Sequence, residues 1–366
     1  MKFKILRETL FRPLQMVSGV VERRQTLPIL SNVLVTATDG RLTMTATDLE
    51  VEMISHVELD GAEGGETTLP ARKFLDICRA LPEGAEIQVA VDGEKAVVRS
   101  GKSRFVLATL PATDFPVIEA DKAVLTFTVP QGRLKNAIDK TSFAMAQQDV
   151  RYYLNGTLIE ISDGLLRTVA TDGHRLALCD TELGSKIKEN QSVIIPRKGV
   201  MELVRLLGSD DVEAEVKIGN NFIRVSTPEM SFTSKLIDGR FPDYQNVIPV
   251  GGDKIVVCDK EVLHQALGRV SILSNEKYRG VRLQFSVGLV KISAHNPEQE
   301  EAEEEVVVDY NGDPLEIGFN VNYLQDAVDA SDTEQVRLTL TDPNSCCLVH
   351  GVGDKRCKYI VMPMRL

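Results

Sequence analysis

Several things are missing from this 366-residue chain, and each absence narrows what it does. It has no excess of positive charge: 42 lysines and arginines stand against 53 aspartates and glutamates, a net charge of −11. That excludes a chain that is basic all over. It leaves room for a local basic surface, because nucleic acid responds to where cations cluster. No run of 18 apolar residues occurs, so nothing is expected to span a membrane. The opening MKFKILRETLFRPLQMV is interrupted by Arg7, Glu8 and Arg12 and does not read as a secretory signal.

None of the six cysteines (Cys78, Cys179, Cys258, Cys346, Cys347 and Cys357) stands in a CxxC pair. All six are read as reduced thiols of a cytoplasmic protein. Cys346, Cys347, His350 and Cys357 lack the close spacing of ligand pairs, so no metal is expected. Catalytic signatures are missing too: there is no GxSxG, no HExxH and no GxGxxG after a strand. The Gly101-Lys102-Ser103 triplet has Ala96 where a phosphate loop needs its earlier glycine. No cofactor is expected.

What is present is one phrase written three times. LRTVATDGHRLAL, Leu166 to Leu178, alternates apolar and polar residues, turns at Asp172-Gly173 and alternates again, the pattern of a hairpin with a turn pair suited to positive φ. Asp48 in LTMTATDLEVEM lies 124 residues before Asp172, and Asn296 in VKISAHNPEQEE lies 124 residues after it. LPARKFLDICRAL, IPRKGVMELVRLL and FNVNYLQDAVDA keep nearly the same step. A repeat at a fixed period is the architecture itself. Connectors carrying Phe115-Pro116 and Phe241-Pro242 divide the chain into domains of residues 1–120, 121–250 and 251–366.

Each repeat reads as strand, helix, several strands, a second helix and more strands, an α+β pattern. First helices are expected near Arg7 to Ser18, Gln131 to Phe143 and Lys260 to Leu273. In the second helices, Phe74, Ile77, Cys78 and Leu81 share one face, as do Val200, Leu203, Val204 and Leu207. The opposite faces are basic: Arg72, Lys73 and Arg79 in the first repeat, Arg197, Lys198 and Arg205 in the second. Arg7, Arg12, Arg23, Arg24, Arg133, Lys135 and Lys140 extend the pattern on first helices and their flanks. The third repeat breaks it with Asn322, Gln325, Asp326 and Asp329. Basic residues recurring on several helices point to a phosphate-facing surface.

His174 beside Asp172 is the best acid/base candidate. The first repeat has Leu49 at that turn and the third has His295-Asn296-Pro297, so no catalytic constellation repeats. A hydrolase using His174 and Asp172 is one alternative reading, and a monomeric three-domain scaffold that never meets DNA is another.

YYLNGTLIE, TVATDGHRLAL, IPRKGVMELVRLL, FTSKLIDGRFPDY, SILSNEKYRGVRL, HNPEQEEAEE and the ending YIVMPMRL closely resemble the bacterial DNA polymerase III beta subunits, the sliding clamp family, from Met1 to Leu366. The resemblance implies three domains of the DNA clamp fold, helices lining the inside and sheets outside, closed head to tail into a dimeric ring around duplex DNA. It implies no catalysis but a tether that gives the replicative polymerase its processivity. Phosphate contacts carry no sequence information, so binding would be independent of sequence and the ring free to slide.

Carried over by position, the resemblance assigns DNA contacts to Arg24, Arg72, Gln148, Tyr153, Arg197, Lys198 and Arg205. Without it, Tyr152-Tyr153 reads equally as a pair of strand aromatics. The resemblance also implies a pocket for short peptide motifs of the DNA polymerase III alpha subunit, the clamp loader delta subunit, other polymerases and repair proteins. Its second-repeat part is Leu154, Thr171, Gly173, His174, Arg175, Leu176, Pro242 and Val247. Its third-repeat part is Asn320, Tyr323, Val361, Met362, Pro363, Met364 and Arg365. Asn246, Asn344 and Cys346 depart from some relatives and bear on the pocket's preference. Ring closure is assigned to Lys73, Ile77, Phe105 and Leu107 against Ile272, Leu273, Glu300 and Glu303 of a second copy. SRFVLATL suits an edge strand open to pairing, and the acidic run Glu298 to Glu305 suits a basic edge opposite. A cytoplasmic, nucleoid-associated protein follows from the resemblance.

Overall fold

The computed structural model describes residues 1–21, 27–38, 40–118, 122–184, 187 and 189–365. Among the described residues, six α-helices stand at the repeating positions: α1 (Arg7–Ser18), α2 (Ala71–Ala80), α3 (Gln131–Ser142), α4 (Arg197–Leu206), α5 (Lys260–Ser271) and α6 (Val321–Asp329). Apolar spacing explains them. Leu10, Leu14 and Val17 in α1 fall at i, i+4 and i+7 and are fully buried, as are Phe74 and Cys78 in α2 and Val200 and Leu203 in α4. Two helices of the third repeat carry side-chain caps. Asp259 accepts from the amide of Val262 at 2.9 Å before α5, and Asn320 accepts from the amide of Asn322 at 3.0 Å before α6. Such a cap stabilises a helix by about 1 kcal/mol.

The chain forms two compact units, and these do not coincide with the sequence repeats: Met1–Gly132 joins Lys198–Leu236, and Arg133–Arg197 joins Ile237–Leu366. The reason is hydrogen bonding between strands of successive repeats. In the first unit an eight-stranded antiparallel sheet runs Gly65–Pro70, Asn32–Thr38, Gly40–Thr47, Val51–Leu59, Met230–Lys235, Phe222–Ser226, Glu213–Ile218, Leu125–Pro130. The seam between repeats lies where Val51–Leu59 pairs with Met230–Lys235. A four-stranded sheet of the same unit ends on Ser103–Ala108, which is an edge strand, as its sequence suggested.

The second unit repeats the plan. Its eight-stranded sheet runs Gln191–Pro196, Gly156–Ser162, Leu165–Thr171, Arg175–Glu182, Cys357–Val361, Cys347–Gly351, Gln335–Leu340, Lys254–Asp259. Here the seam pairs Arg175 with Val361 and Cys179 with Cys357. Its four-stranded sheet ends on the acidic strand Glu301–Val307.

That seam corrects the reading of all six cysteines as reduced thiols. Cys179 and Cys357, 178 residues apart in sequence, face each other with Cα atoms 4.2 Å apart and are joined as a disulfide. Register did this: pairing the last strand of the third repeat with the second repeat's hairpin puts the two thiols directly opposite. Cys78, Cys258, Cys346 and Cys347 are free. Burial pushes the Cys78 and Cys258 thiols up to about 12.

The repeated phrase is one geometry in its first two copies, whereas in the third Asn296 accepts from the amide of Glu300, four residues on. The Asp172 carboxylate accepts from the amides of His174 (2.9 Å) and Arg175 (3.0 Å). Asp48 does the same with Glu50 (2.9 Å) and Val51 (2.7 Å). The threonine before each donates across the turn, Thr171 to the Arg175 carbonyl and Thr47 to the Val51 carbonyl. Of the expected turn pair only Gly173 takes a positive φ, +88°, and Leu49 adopts +78° at the same place. Asp172 instead serves as the acceptor that closes an Asx turn. Tyr152 and Tyr153 are not strand aromatics; they open a short 3-10 turn, Tyr152–Leu154.

Candidate functional site

The hairpin of the second repeat builds one wall of a cavity of about 210 Å³ in the second unit. Leu154, Thr171, Gly173, Arg175, Leu176, Pro242, Val247 and Met362 line it, all of them expected. Arg151, Tyr244 and Ile360 line it as well and were not expected. Strand parity explains Ile360. The strand Cys357–Val361 sets Ile360 opposite Leu176 and Val361 opposite Arg175, so the neighbours point to opposite faces. Ile360, rather than Val361, faces the cavity, which corrects the assignment of Val361. Tyr244 is buried because its hydroxyl donates to Glu160 at 2.5 Å and accepts from Arg167 at 3.2 Å.

Gly173 is required by two facts. Its φ of +88° disfavours a side chain, and a Cβ there would stand 3.1 Å from the Arg151 guanidinium. That guanidinium binds both oxygens of Asp149, at 3.0 and 2.9 Å, and holds the Asp149 carboxyl down to about 2. An exposed ion pair therefore fixes the rim at the point where the glycine lets the backbone close in.

A neighbouring cavity of about 320 Å³ is lined by His174, Arg175 and Tyr323 with Phe143, Met145 and Asp149. The rings of His174 and Tyr323 are stacked with centroids 6.3 Å apart. Arg175 sits between the two cavities. Its guanidinium lies 4.5 Å from the Tyr323 ring centroid, contacts Asp326 and donates to Asp172 at 3.1 Å. Burial raises the Tyr323 phenol above its usual range. Met362 ties the last strand to the hairpin by donating its amide to the His174 carbonyl at 2.9 Å.

The remaining expected residues fall elsewhere. Met364 and Arg365 line a third cleft in the third repeat. Asn320 caps α6, and Pro363 lines none of the three cavities. Asn246 is occupied with Asp243 at 2.8 Å, and the Cys346 thiol points at the Val247 carbonyl at 3.7 Å.

Four of the residues expected to touch DNA, Arg72, Arg197, Lys198 and Arg205, are tethered by polar contacts. Arg72 donates to the Val21 carbonyl at 3.1 Å and Arg205 to the Met16 carbonyl at 3.1 Å, both near the C-terminal end of α1, where helix carbonyls favour cations. Arg205 is also paired with Glu202 at 2.6 Å. Arg197 reaches the Met145 carbonyl at 3.5 Å, and Lys198 is paired with Asp48. Gln148 is exposed with φ +55°, and Tyr153 packs against the cluster around Leu158 and Tyr244. Arg24, with Arg23, lies outside the described residues.

Of the residues expected at a subunit contact, Phe105, Leu107 and Glu303 lie on the two edge strands, Lys73 and Ile77 on α2, Ile272 and Leu273 just beyond α5, and Glu300 just before the strand Glu301–Val307. On Ser103–Ala108, Leu107 is 7% exposed and Val106 45% exposed. Phe105 is half-buried, Lys73 exposed and Ile77 half-buried. In the third repeat Ile272 is 74% exposed just beyond α5 and Leu273 is half-buried. Glu303 pairs with Lys291 at 2.8 Å, and Glu300 accepts from Asn296 at 2.6 Å.

Family profiles for the DNA polymerase III beta subunit match the whole length: the N-terminal domain over residues 1–119, the central domain over 128–243 and the C-terminal domain over 245–365. The chain is 56% identical over 367 residues to the beta sliding clamp of Pseudomonas aeruginosa and 53% identical to that of Escherichia coli K12, covering all of each. Among solved structures it matches the DNA polymerase III subunit beta of P. aeruginosa at 56% identity with a TM-score of 0.98, both chains fully covered. A sliding clamp from the same organism bound to griselimycin matches equally well, and Caulobacter crescentus pol III beta follows at 40% identity and 0.95, again with full coverage. With three domain profiles in order and full-length relatives above half identity, the chain belongs to the DNA polymerase III beta subunit family, the sliding clamps.

Proposed function

We propose that two copies of this chain close head to tail around duplex DNA and tether the replicative polymerase, without catalysis of their own. The observation that carries the reading is the full-length match to sliding clamps at a TM-score of 0.98. Two features support closure. The outermost strand Ser103–Ala108 is flanked by Lys102 and contains Arg104, and the outermost strand Glu301–Val307 contains four glutamates. Opposite charge on two unpaired edges favours pairing of one with the other and disfavours pairing of either with itself. Basic residues on α2 and α4 suit phosphate contacts without base reading.

In this reading the cavity around Leu176, Pro242 and Met362 takes short apolar peptide motifs of polymerases, clamp loader and repair proteins, which compete for it. Arg175 and the His174–Tyr323 stack orient the peptide. The protein works in the cytoplasm, at the nucleoid. His174 is a docking residue, and the hydrolase alternative has no support from the family. Primer extension on a primed single-stranded circle, with polymerase III core and clamp loader, tests the reading. Adding the chain should lengthen the products of a single binding event many-fold, and unchanged product length would overturn it.

A further inference from the structure

A third cleft, of about 400 Å³, opens in the third repeat between the turn at Asn275–Tyr278, the hairpin His295-Asn296-Pro297 and the segment Met364-Arg365. Its position is set by the repeat. Leu30, Leu154 and Tyr278 stand at one repeat position, and Leu34, Leu158 and Arg282 at another, each 124 residues apart. The closing segments also correspond: Ile237 donates its amide to the Ile194 carbonyl at 2.9 Å, and Met364 donates to the Gly318 carbonyl at 2.9 Å.

In the first two repeats an aromatic side chain fills this place. Phe115, 6% exposed, packs on Ile29, Leu30 and Leu34. Tyr244, also 6% exposed, packs in the cluster of Leu158, with Phe241 alongside. Both aromatics belong to connectors of one composition, Asp114-Phe115-Pro116 and Phe241-Pro242-Asp243-Tyr244. In the third repeat no described side chain occupies the equivalent place. Tyr278, Ala294, Pro297 and Met364 give the cleft apolar walls, and Arg282, His295 and Arg365 give it a cationic side. Arg282 is paired with Glu316 at 3.1 Å and remains 38% exposed.

We propose that this cleft is a second docking site, which takes from a partner protein a short extended segment bearing an aromatic residue beside proline and an acidic residue. The segment supplies in trans what the connectors supply within the first two repeats. Its ring lies over Tyr278 and the Arg282 guanidinium, an arrangement that favours an aromatic over an aliphatic side chain. Its carboxylate meets Arg282 or Arg365, as the charge of the cleft requires. The site adjoins the peptide cavity, since Met362 lines one and Met364 the other. A partner already anchored by its motif can therefore reach it.

The probe is a fluorescein-labelled octapeptide copying residues 240–247, RFPDYQNV, titrated by anisotropy against the full chain up to ~1 mM, the scale of a weak but specific contact. Saturable binding is expected. Ser293→Trp, which fills the cleft from the strand position opposite Arg282, and Arg282→Glu at the surface should each weaken it at least about tenfold. Peptides with Phe→Ala or Asp→Asn should lose affinity likewise. Met362→Ala, which damages the peptide cavity, should leave the octapeptide's affinity unchanged. No binding at ~1 mM, or binding untouched by both Ser293→Trp and Arg282→Glu in variants with wild-type melting curves, overturns the proposal. So does loss of binding in Met362→Ala alone, which would place the peptide in the neighbouring cavity. Failure of primer extension, by contrast, would speak against the clamp reading and leave this result as it stands.

Discussion

Arg175, on the second repeat's hairpin, holds its guanidinium 4.5 Å from the ring centroid of Tyr323, on α6 of the third repeat, and binds Asp172 and Asp326 at the same time. One side chain thus joins the hairpin to the helix whose Tyr323 lines the neighbouring cavity. Its side chain is 13% exposed, so solvent screens these interactions little. Arg175→Ala should destabilise the protein by about 1–3 kcal/mol, the cost of leaving charged partners unsatisfied together with the missing cation–π attraction. Arg175→Lys should recover only part, because a point charge cannot replace a planar fork that stacks and donates to Asp172, Asp326 and the Phe143 carbonyl. Urea unfolding and peptide titration of the two variants measure this; full recovery by lysine would contradict it.

The Asp149–Arg151 pair titrates far from the cavity's working pH. The Arg151 guanidinium and its amide lower the Asp149 carboxyl from its usual range near 4 to about 2. A depressed carboxylate contributes stability that is present above the unfolded value and lost as pH falls through the folded one. Its contribution should therefore fade only between about pH 4 and pH 2. Carboxyl-carbon chemical shifts should place the midpoint near 2, and in Arg151→Ala the midpoint should return towards 4. A wild-type midpoint near 4 would contradict the pair.

Arg197 and Arg205 sit at the two ends of α4, yet their environments differ. Arg205 is neutralised locally by Glu202 at 2.6 Å, whereas Arg197 meets only a carbonyl among the described residues. Arg197→Ala should therefore weaken DNA association more than Arg205→Ala, and Glu202→Ala should strengthen it. The double variant should reduce the salt slope by at most ~2, about 0.9 for each phosphate no longer neutralised. Equal losses for the two single variants would contradict this account of the helix.

Lys198 pairs with Asp48, whose side chain is only 5% exposed. Asp48 also closes its own turn through two backbone amides, so it stays in place when the lysine is removed. Lys198→Ala should lower stability by about 1–3 kcal/mol, the cost of a nearly buried carboxylate losing its cation. Thermal or urea unfolding reads this directly, and an unchanged midpoint would mean that the pair contributes nothing. Any loss of DNA binding in this variant has to be measured below its unfolding transition.

Much of this was legible in the sequence because a repeat makes the chain its own comparison. Asp48 and Asp172, 124 residues apart, close the same turn with the same threonine behind them. Helix positions followed from apolar spacing, a local property. What could not be read was pairing between repeats. Nothing in either strand says that Arg175–Glu182 will bond to Cys357–Val361, and that single fact sets the disulfide, the choice of Ile360 over Val361 and the second compact unit. Tyr244 was missed for a different reason: its burial depends on Arg167 and Glu160, 77 and 84 residues away within its own repeat. The Arg205–Glu202 pair was available at i,i+3 in the sequence and qualifies the basic face of α4.

Retention on DNA of different topology tests the central claim most directly. The chain is loaded by the clamp loader onto a nicked circular duplex, unbound protein is removed by gel filtration in high salt, and half of the sample is then linearised with a restriction enzyme. A ring held by topology stays on the circle, where screening of phosphate contacts does not release it, and slides off the linear molecule. Equal retention on both, or release from both as salt rises, would contradict encirclement and leave a protein held to DNA by charge alone.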